Sequence, residues 1–110
     1  MRLTSGEKKI IERLHNELTY NFLEKITIYE RCEKYNISET KLTKGFKAVY
    51  GTTIYRYHLE KCMEFAYRKF LEGSTVNELS ILLNYSTVSS FTRAFKKIYP
   101  DPPRVYRYNF

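Results

Sequence analysis

A chain of 110 residues has room for one modest core or two small lobes, and none for a separate ligand-binding domain beside them. Lys and Arg outnumber Asp and Glu by 19 to 12, a net charge of +7, while no apolar run approaches the roughly 20 residues of a membrane span and no secretory leader opens the chain. A soluble, cytoplasmic protein with a polyanionic partner is therefore expected, and with four Gly, three Pro and no alternating strand pattern its fold should be all-α.

Residues 1–5 read as a flexible leader. From Gly6 to about Tyr20, Ile11, Leu14 and Leu18 recur at helical spacing, with Lys8, Lys9, Glu12, Arg13 and Glu17 on the wet side. Asn21 to Ile26 then connect, with Phe22 and Leu23 expected to plug into the core. Thr27 and Glu30 have the T-x-x-E spacing of a capping pair, so a short helix should start there and run through Ile28, Cys32 and Tyr35 to a turn at Asn36. Ser38 caps the next helix, over 39–50. Leu42, Phe46 and Val49 form its inner stripe, and Glu39, Thr40, Lys41, Thr43, Lys44 and Lys47 point outward. Gly45 interrupts that stripe at a cost of ~1 kcal/mol against Ala, which implies either the close approach of a neighbouring helix or a softer helix.

Gly51 ends the helix in the left-handed conformation and Thr52 starts a long amphipathic segment, 52–73, on which Tyr55, Leu59, Cys62, Met63, Ala66 and Phe70 keep one face. Gly73 closes it. A second capping pair, Thr75 and Glu78, opens a short helix with Val76, Leu79, Ser80 and Leu83 on one face and Asn84 at its turn. Ser86 and Thr87 can cap the helix that follows, over 87–99, in which Val88, Phe91, Phe95 and Ile98 line the inner stripe and Ser89, Ser90, Thr92, Arg93, Lys96 and Lys97 lie outside. Pro100 cannot adopt the left-handed stop seen at Gly51, so this helix must end by another route. Pro102 and Pro103 favour a final short helix toward Tyr106 and Arg107.

The two short-helix, turn, long-helix units are copies. Thr27, Glu30, Cys32, Asn36 and Ser38 match Thr75, Glu78, Ser80, Asn84 and Ser86 about 48 residues on. After one extra residue in the second copy, Gly45-Phe46-Lys47 matches Ala94-Phe95-Lys96, and Tyr57 and Tyr106 each follow six residues past the break. The chain thus divides into a first subdomain, 6–51, a linker helix, 52–73, and a second subdomain, 74–110. About seven helices form two helix-turn-helix units. By thirds of the chain the net charge runs +1, +3, +3, so the basic surplus is expected with the two helix-turn-helix units, on both second helices.

The ending Phe95-Lys96-Lys97-Ile98-Tyr99-Pro100-Asp101-Pro102-Pro103-Arg104-Val105-Tyr106-Arg107, together with Ser38, Leu42, Phe46, Lys47 and Gly51 upstream, resembles the signature of AraC/XylS-type transcription regulators. That resemblance spans roughly Thr27 to Arg107. It implies a bacterial, sequence-specific regulator of transcription, an activator, that binds double-stranded DNA. RNA polymerase is an implied protein partner, and an effector-binding domain is one if the chain is part of a longer regulator. The implied base-reading positions are Thr40, Thr43 and Lys44 in the first unit and Val88, Ser89, Thr92 and Arg93 in the second, with Ser90 on a phosphate. Lys47, Lys96 and Lys97 either take phosphates or face solvent. Val88 stays open between the inner stripe that periodicity gives it and a thymine methyl. A linker helix holding the two reading helices about one DNA turn apart, ~34 Å, would place them in successive major grooves of an asymmetric site.

The family pattern is broken in places. Arg31 stands at a usual buried aliphatic, its stem expected along the core edge with the guanidinium in water. Cys62 stands at a usual arginine, and Asn84 and Pro100 at usual glycines. Cys32 and Cys62 fall on apolar faces as buried thiols, and His15 and His58 read as surface side chains. No catalytic constellation, metal site or cofactor is expected. A helical protein-interaction module of the same fold, without specific DNA reading, is the competing function.

Overall fold

The computed structural model of the chain describes residues 2–107. Met1 of the expected leader and residues 108–110 of the expected second subdomain lie outside it. Among the described residues there are seven helices and no strand: α1 (Ser5–Tyr20), α2 (Ile28–Tyr35), α3 (Glu39–Tyr50), α4 (Ile54–Leu71), α5 (Val76–Leu82), α6 (Val88–Ile98) and α7 (Pro103–Arg107). They fall into two compact units, Met1–His58 and Leu59–Phe110, so the division lies inside α4 and the helix is shared between the units. No helix among the described residues is long and apolar enough to cross a membrane.

The first helix starts earlier than its apolar period suggests. Thr4 accepts from the Glu7 amide while the Glu7 carboxylate accepts from the Thr4 amide, a reciprocal capping box at 3.0 and 2.9 Å, so Thr4 caps α1 and Ser5 is its first residue. Ile11, Leu14 and Leu18 are fully buried, and with Ile37, Leu42, Phe46 and Ile54 they form the core of the first unit. Gly45 is buried because α1 comes close: a Cβ there would lie 2.6 Å from Ile11 Cδ1 and 3.2 Å from Leu3 Cδ2. Close approach is thus the reason for the glycine. The second unit buries Leu59, Met63, Ala66, Phe70, Leu79 and Leu83, with Phe91 and Phe95 of α6 at its centre.

Both short helices end alike. Asn36 (φ 51°) and Asn84 (φ 66°) take the left-handed conformation. Beyond them the Ile37 amide reaches back to Cys32 at 3.2 Å and the Tyr85 amide to Ser80 at 2.8 Å, each a six-residue closure that satisfies an orphan carbonyl. Gly73 (φ 98°) ends α4 similarly, the Ser74 amide bonding Lys69 O at 2.9 Å. At α6 the cap Tyr99 stays extended (φ −115°), so before Pro100 the helix stops without a left-handed residue.

Several expected core positions are exposed instead. Val49 (49%), Val88 (42%), Tyr55 (63%) and Leu23 (39%) face outward. On α3 and α6 the buried sets are Leu42, Gly45 and Phe46, and Phe91, Ala94 and Phe95, at i, i+3 and i+4. Each valine lies one step along the same stripe but beyond the reach of the packed helix. Ile54 takes the buried place at the start of α4 that Tyr55 was given.

Polar groups also differ from expectation. Arg31 does not simply reach water: its Nε donates to Glu17 Oε2 at 2.6 Å, and the Tyr35 hydroxyl donates to Glu17 Oε1, so a carboxylate assigned to the wet side is half-buried between α1 and α2. Burial first, and then the Glu17 hydrogen bond, pushes the Tyr35 hydroxyl above its ordinary pKa. His15 is half-buried, stacked 4.0 Å from the Tyr50 ring and 4.7 Å from Tyr57, while His58 Nε2 lies 2.8 Å from the Phe22 carbonyl oxygen. Cys62 is buried, and burial raises its thiol pKa to about 11. Cys32 is only half-buried.

Candidate nucleic-acid interface

A helix displays a usable surface only where its side chains are neither packed nor already bonded. On α3, Ser38 Oγ accepts from the Lys41 amide at 3.2 Å and starts the helix, leaving Thr40, Lys44 and Lys47 on one face at i, i+4 and i+7. All three are exposed, and Lys44 and Lys47 have no ion-pair partner among the described residues. Thr43 is half-buried and its hydroxyl donates to the Glu39 carbonyl at 2.9 Å, so it is the expected reading residue already engaged with its own helix. Lys41 is engaged too, 2.8 Å from Glu7 Oε2. That contact and the Thr4 amide hold the Glu7 carboxyl below the usual glutamate range.

On α6 the matching row is Ser89, Arg93 and Lys96, again at i, i+4 and i+7 and again exposed. Arg93 and Lys96 have no partner among the described residues. Lys97 is exposed beside them and Thr92 is half-buried. Ser90 is occupied with the helix start: its amide donates to Thr87 Oγ1 at 3.0 Å and its hydroxyl donates to the Thr87 carbonyl at 2.9 Å. The valine whose place was open, Val88, is exposed and so lies outside the core.

The rows differ in charge at their leading ends. Glu39 is exposed in the first turn of α3, where a carboxylate suits the helix dipole and repels a phosphate. The corresponding residue of α6 is Val88, and no acidic residue stands in that first turn. An open groove of about 390 Å³ runs between Val88, Thr92 and Lys96 on one side and Pro102, Pro103 and Arg104 on the other. Arg104, at the start of α7, adds a cation beside α6 that helical spacing within α6 could not reveal. The histidines and cysteines belong to the packing described above and take no part in this surface.

Comparison with known proteins bears on what such paired surfaces do. A family model described as a helix-turn-helix domain matches residues 31–109. The probable transcriptional regulator LumQ of Photobacterium leiognathi is 27% identical over 108 residues, covering 93% of this chain and 44% of the relative. The chain therefore spans less than half of that relative's length. Among solved structures, the C-terminal domain of AraT, a response regulator from Geobacillus stearothermophilus, superposes with a TM-score of 0.81 at 25% identity over 97% of this chain and 87% of that one. A probable AraC family transcriptional regulator from Rhodopseudomonas palustris CGA009, 17% identical with a TM-score of 0.77 over 90% of this chain and 94% of that one, has the same fold.

Proposed function

Because this chain belongs to the AraC-type helix-turn-helix family of DNA-binding transcription regulators, we propose that it binds double-stranded DNA sequence-specifically, with α6 as the principal reader and α3 as the weaker one. The observation that carries this reading is the exposed Ser89, Arg93, Lys96 row of α6, repeated as Thr40, Lys44, Lys47 on α3. Arg93 donates two hydrogen bonds to guanine O6 and N7 in the major groove, and Thr92 and Val88 present methyl groups to a thymine. Ser89 contacts an adjacent base edge. Lys96 and Lys97 take phosphates, which hold the helix in register. Ser90, expected on a phosphate, contributes chiefly by fixing the helix start.

On α3, Lys44 and Thr40 meet base edges while Lys47 grips the backbone, but Glu39 and the engaged Thr43 leave fewer groups for discrimination. Entry of both helices into successive major grooves requires a separation of about one turn, ~34 Å. Since the rows differ, the site is asymmetric and needs no second copy of the chain. Activation is the regulatory direction the family resemblance implies, with RNA polymerase as the protein partner. An effector-binding domain joins it where the regulator is longer.

Selection of bound duplexes from a random pool, at low and at physiological salt, tests this reading. The expected result is an asymmetric site with two conserved clusters one turn apart, bound with an affinity that falls steeply with salt. Absence of any enriched sequence would remove specific reading. One observation favours protein contact: Ile81 (67% exposed) and Leu82 (46%) lie bare on α5, where α2 carries Glu33 and Lys34 at the matching places. A module serving only that contact would have no salt-dependent DNA affinity.

A further inference from the structure

The first unit contains a cavity of about 120 Å³ whose apolar lining includes Leu14, Leu18, Ile26, Ile28 and Ile54. Leu14, Leu18 and Ile54 belong to the core of this unit, so the cavity lies directly against that core. For scale, an engineered apolar cavity of about 150 Å³ accepts benzene. The space therefore suits one ring-sized apolar body.

Its lining also includes Arg31. The side chain is 16% exposed and is held from one edge only, Nε to Glu17 Oε2 at 2.6 Å. The remaining guanidinium donors have no partner among the described residues, and none of them is buried unsatisfied. Glu17 itself is shared: it accepts from Arg31 and Tyr35 and lies 3.9 Å from Lys34 Nζ, so two cations surround one carboxylate. Tyr55 and His58 complete the lining without adding an acid.

The second unit shows what this position does when it is only structural. There the counterpart of Arg31 is Leu79, 2% exposed, and that of Tyr35 is Leu83, 9% exposed. Leucine fills the place, and no guanidinium stands at that position of the helix.

The geometry points to a binding site in the first unit for a small monocarboxylic acid with a ring-sized apolar body, its carboxylate held by the outer edge of Arg31. The planar fork of an arginine pairs two N–H groups with the two oxygens of a carboxylate, and Nε being already fixed by Glu17 orients it. The site lies between α1, the start of α2 and the start of α4, and its existence does not depend on DNA binding.

Sodium benzoate is the probe. Titrated into the full chain and followed by methyl NMR, it is expected to shift Ile26, Ile28 and Ile54 together and saturably. Benzamide, of the same shape without the charge, should bind on the order of tenfold more weakly, and benzylamine more weakly still. Arg31→Leu, which copies the second unit, should abolish the shifts, and Ile28→Phe should block the cavity while keeping Arg31. Arg31→Lys, if Arg31→Leu does not fold, should retain weakened binding. The proposal is overturned if benzoate shifts none of these methyls at tens of millimolar, as an order of magnitude for a ligand this small. It is equally overturned if benzamide and benzylamine match benzoate, or if the shifts persist in Arg31→Leu or Ile28→Phe.

Discussion

Where the second unit packs Leu79 and Leu83 against its core, the first places Arg31 and Tyr35, both bonded to Glu17. The contrast extends through each interior. Phe95 lies among Phe70, Phe91, Tyr99 and Tyr106, with ring centroids 5.0 to 6.1 Å apart, so the second unit is held by an aromatic cluster. The first has an aliphatic core with a single buried phenylalanine, Phe46, at the edge of a stack of His15, Tyr50 and Tyr57. Yet the caps, the left-handed asparagines and the six-residue closures after them are the same in both. The lesson is that backbone hydrogen bonds define the helix-turn-helix, and once they are made, the core and the outer rows can diverge separately.

Changes that test this division should differ in size. Truncating the central rings comes first: Phe95→Ala and Phe46→Ala should each lose about 3–5 kcal/mol in urea unfolding, with Phe95→Ala at the upper end because it removes four ring contacts against three at Phe46. Equal losses would mean that the larger aromatic cluster adds nothing to the second unit beyond buried area. Next, Glu17→Ala should cost about 1.5–3 kcal/mol, since Arg31 and the Tyr35 hydroxyl lose a charged partner at a site only 19% exposed. Glu17→Met with Arg31→Leu, which makes the first unit resemble the second, should recover most of that loss. A double variant no more stable than Glu17→Ala would show that this unit depends on its charges.

Smaller, and alike in both units, are the caps. Thr27→Ala and Thr75→Ala should each cost ~1 kcal/mol, because each hydroxyl oxygen accepts from the amide of the glutamate three residues on. Smallest is a pH effect confined to the first unit. The Glu7 carboxyl is held below the ordinary value of 4.5, first by Lys41 and then by the Thr4 amide, so its contribution is present above that value and is lost as pH falls through the lowered one. Lys41→Met should move the Glu7 titration, followed by NMR, back toward the ordinary value, and an unmoved titration would assign the shift to the Thr4 cap instead.

Much of this was legible in the chain. The spacing of Thr27 and Glu30, and of Thr75 and Glu78, located two helix starts, and Asn36, Gly51 and Asn84 located three stops, because such signals act within one turn of backbone. Periodicity found Leu42, Phe46, Phe91 and Phe95 but assigned Val49 and Val88 to the same stripe. A repeat of apolar residues gives direction around a helix, not how far along it the neighbouring helix extends. Arg31, Glu17, His15 and Arg104 were misplaced or overlooked for a related reason: their partners or neighbours lie on other helices, and nothing local announces them. The duplication itself was readable, and comparing the copies now isolates the positions that differ for reasons other than folding.

In this reading α6 is the principal reader of bases, and Lys47 of α3 holds the backbone. Affinities of the wild type, Arg93→Ala and Lys47→Ala for a selected site and for a scrambled duplex, at two salt concentrations, test it most directly. Arg93→Ala should lose ~1–3 kcal/mol on the selected site, little on the scrambled one, and relax preference at one base pair, while Lys47→Ala should weaken both duplexes similarly and flatten the salt dependence. Equal loss on both duplexes for Arg93→Ala, with the loss of preference found in Lys47→Ala instead, would contradict the assignment.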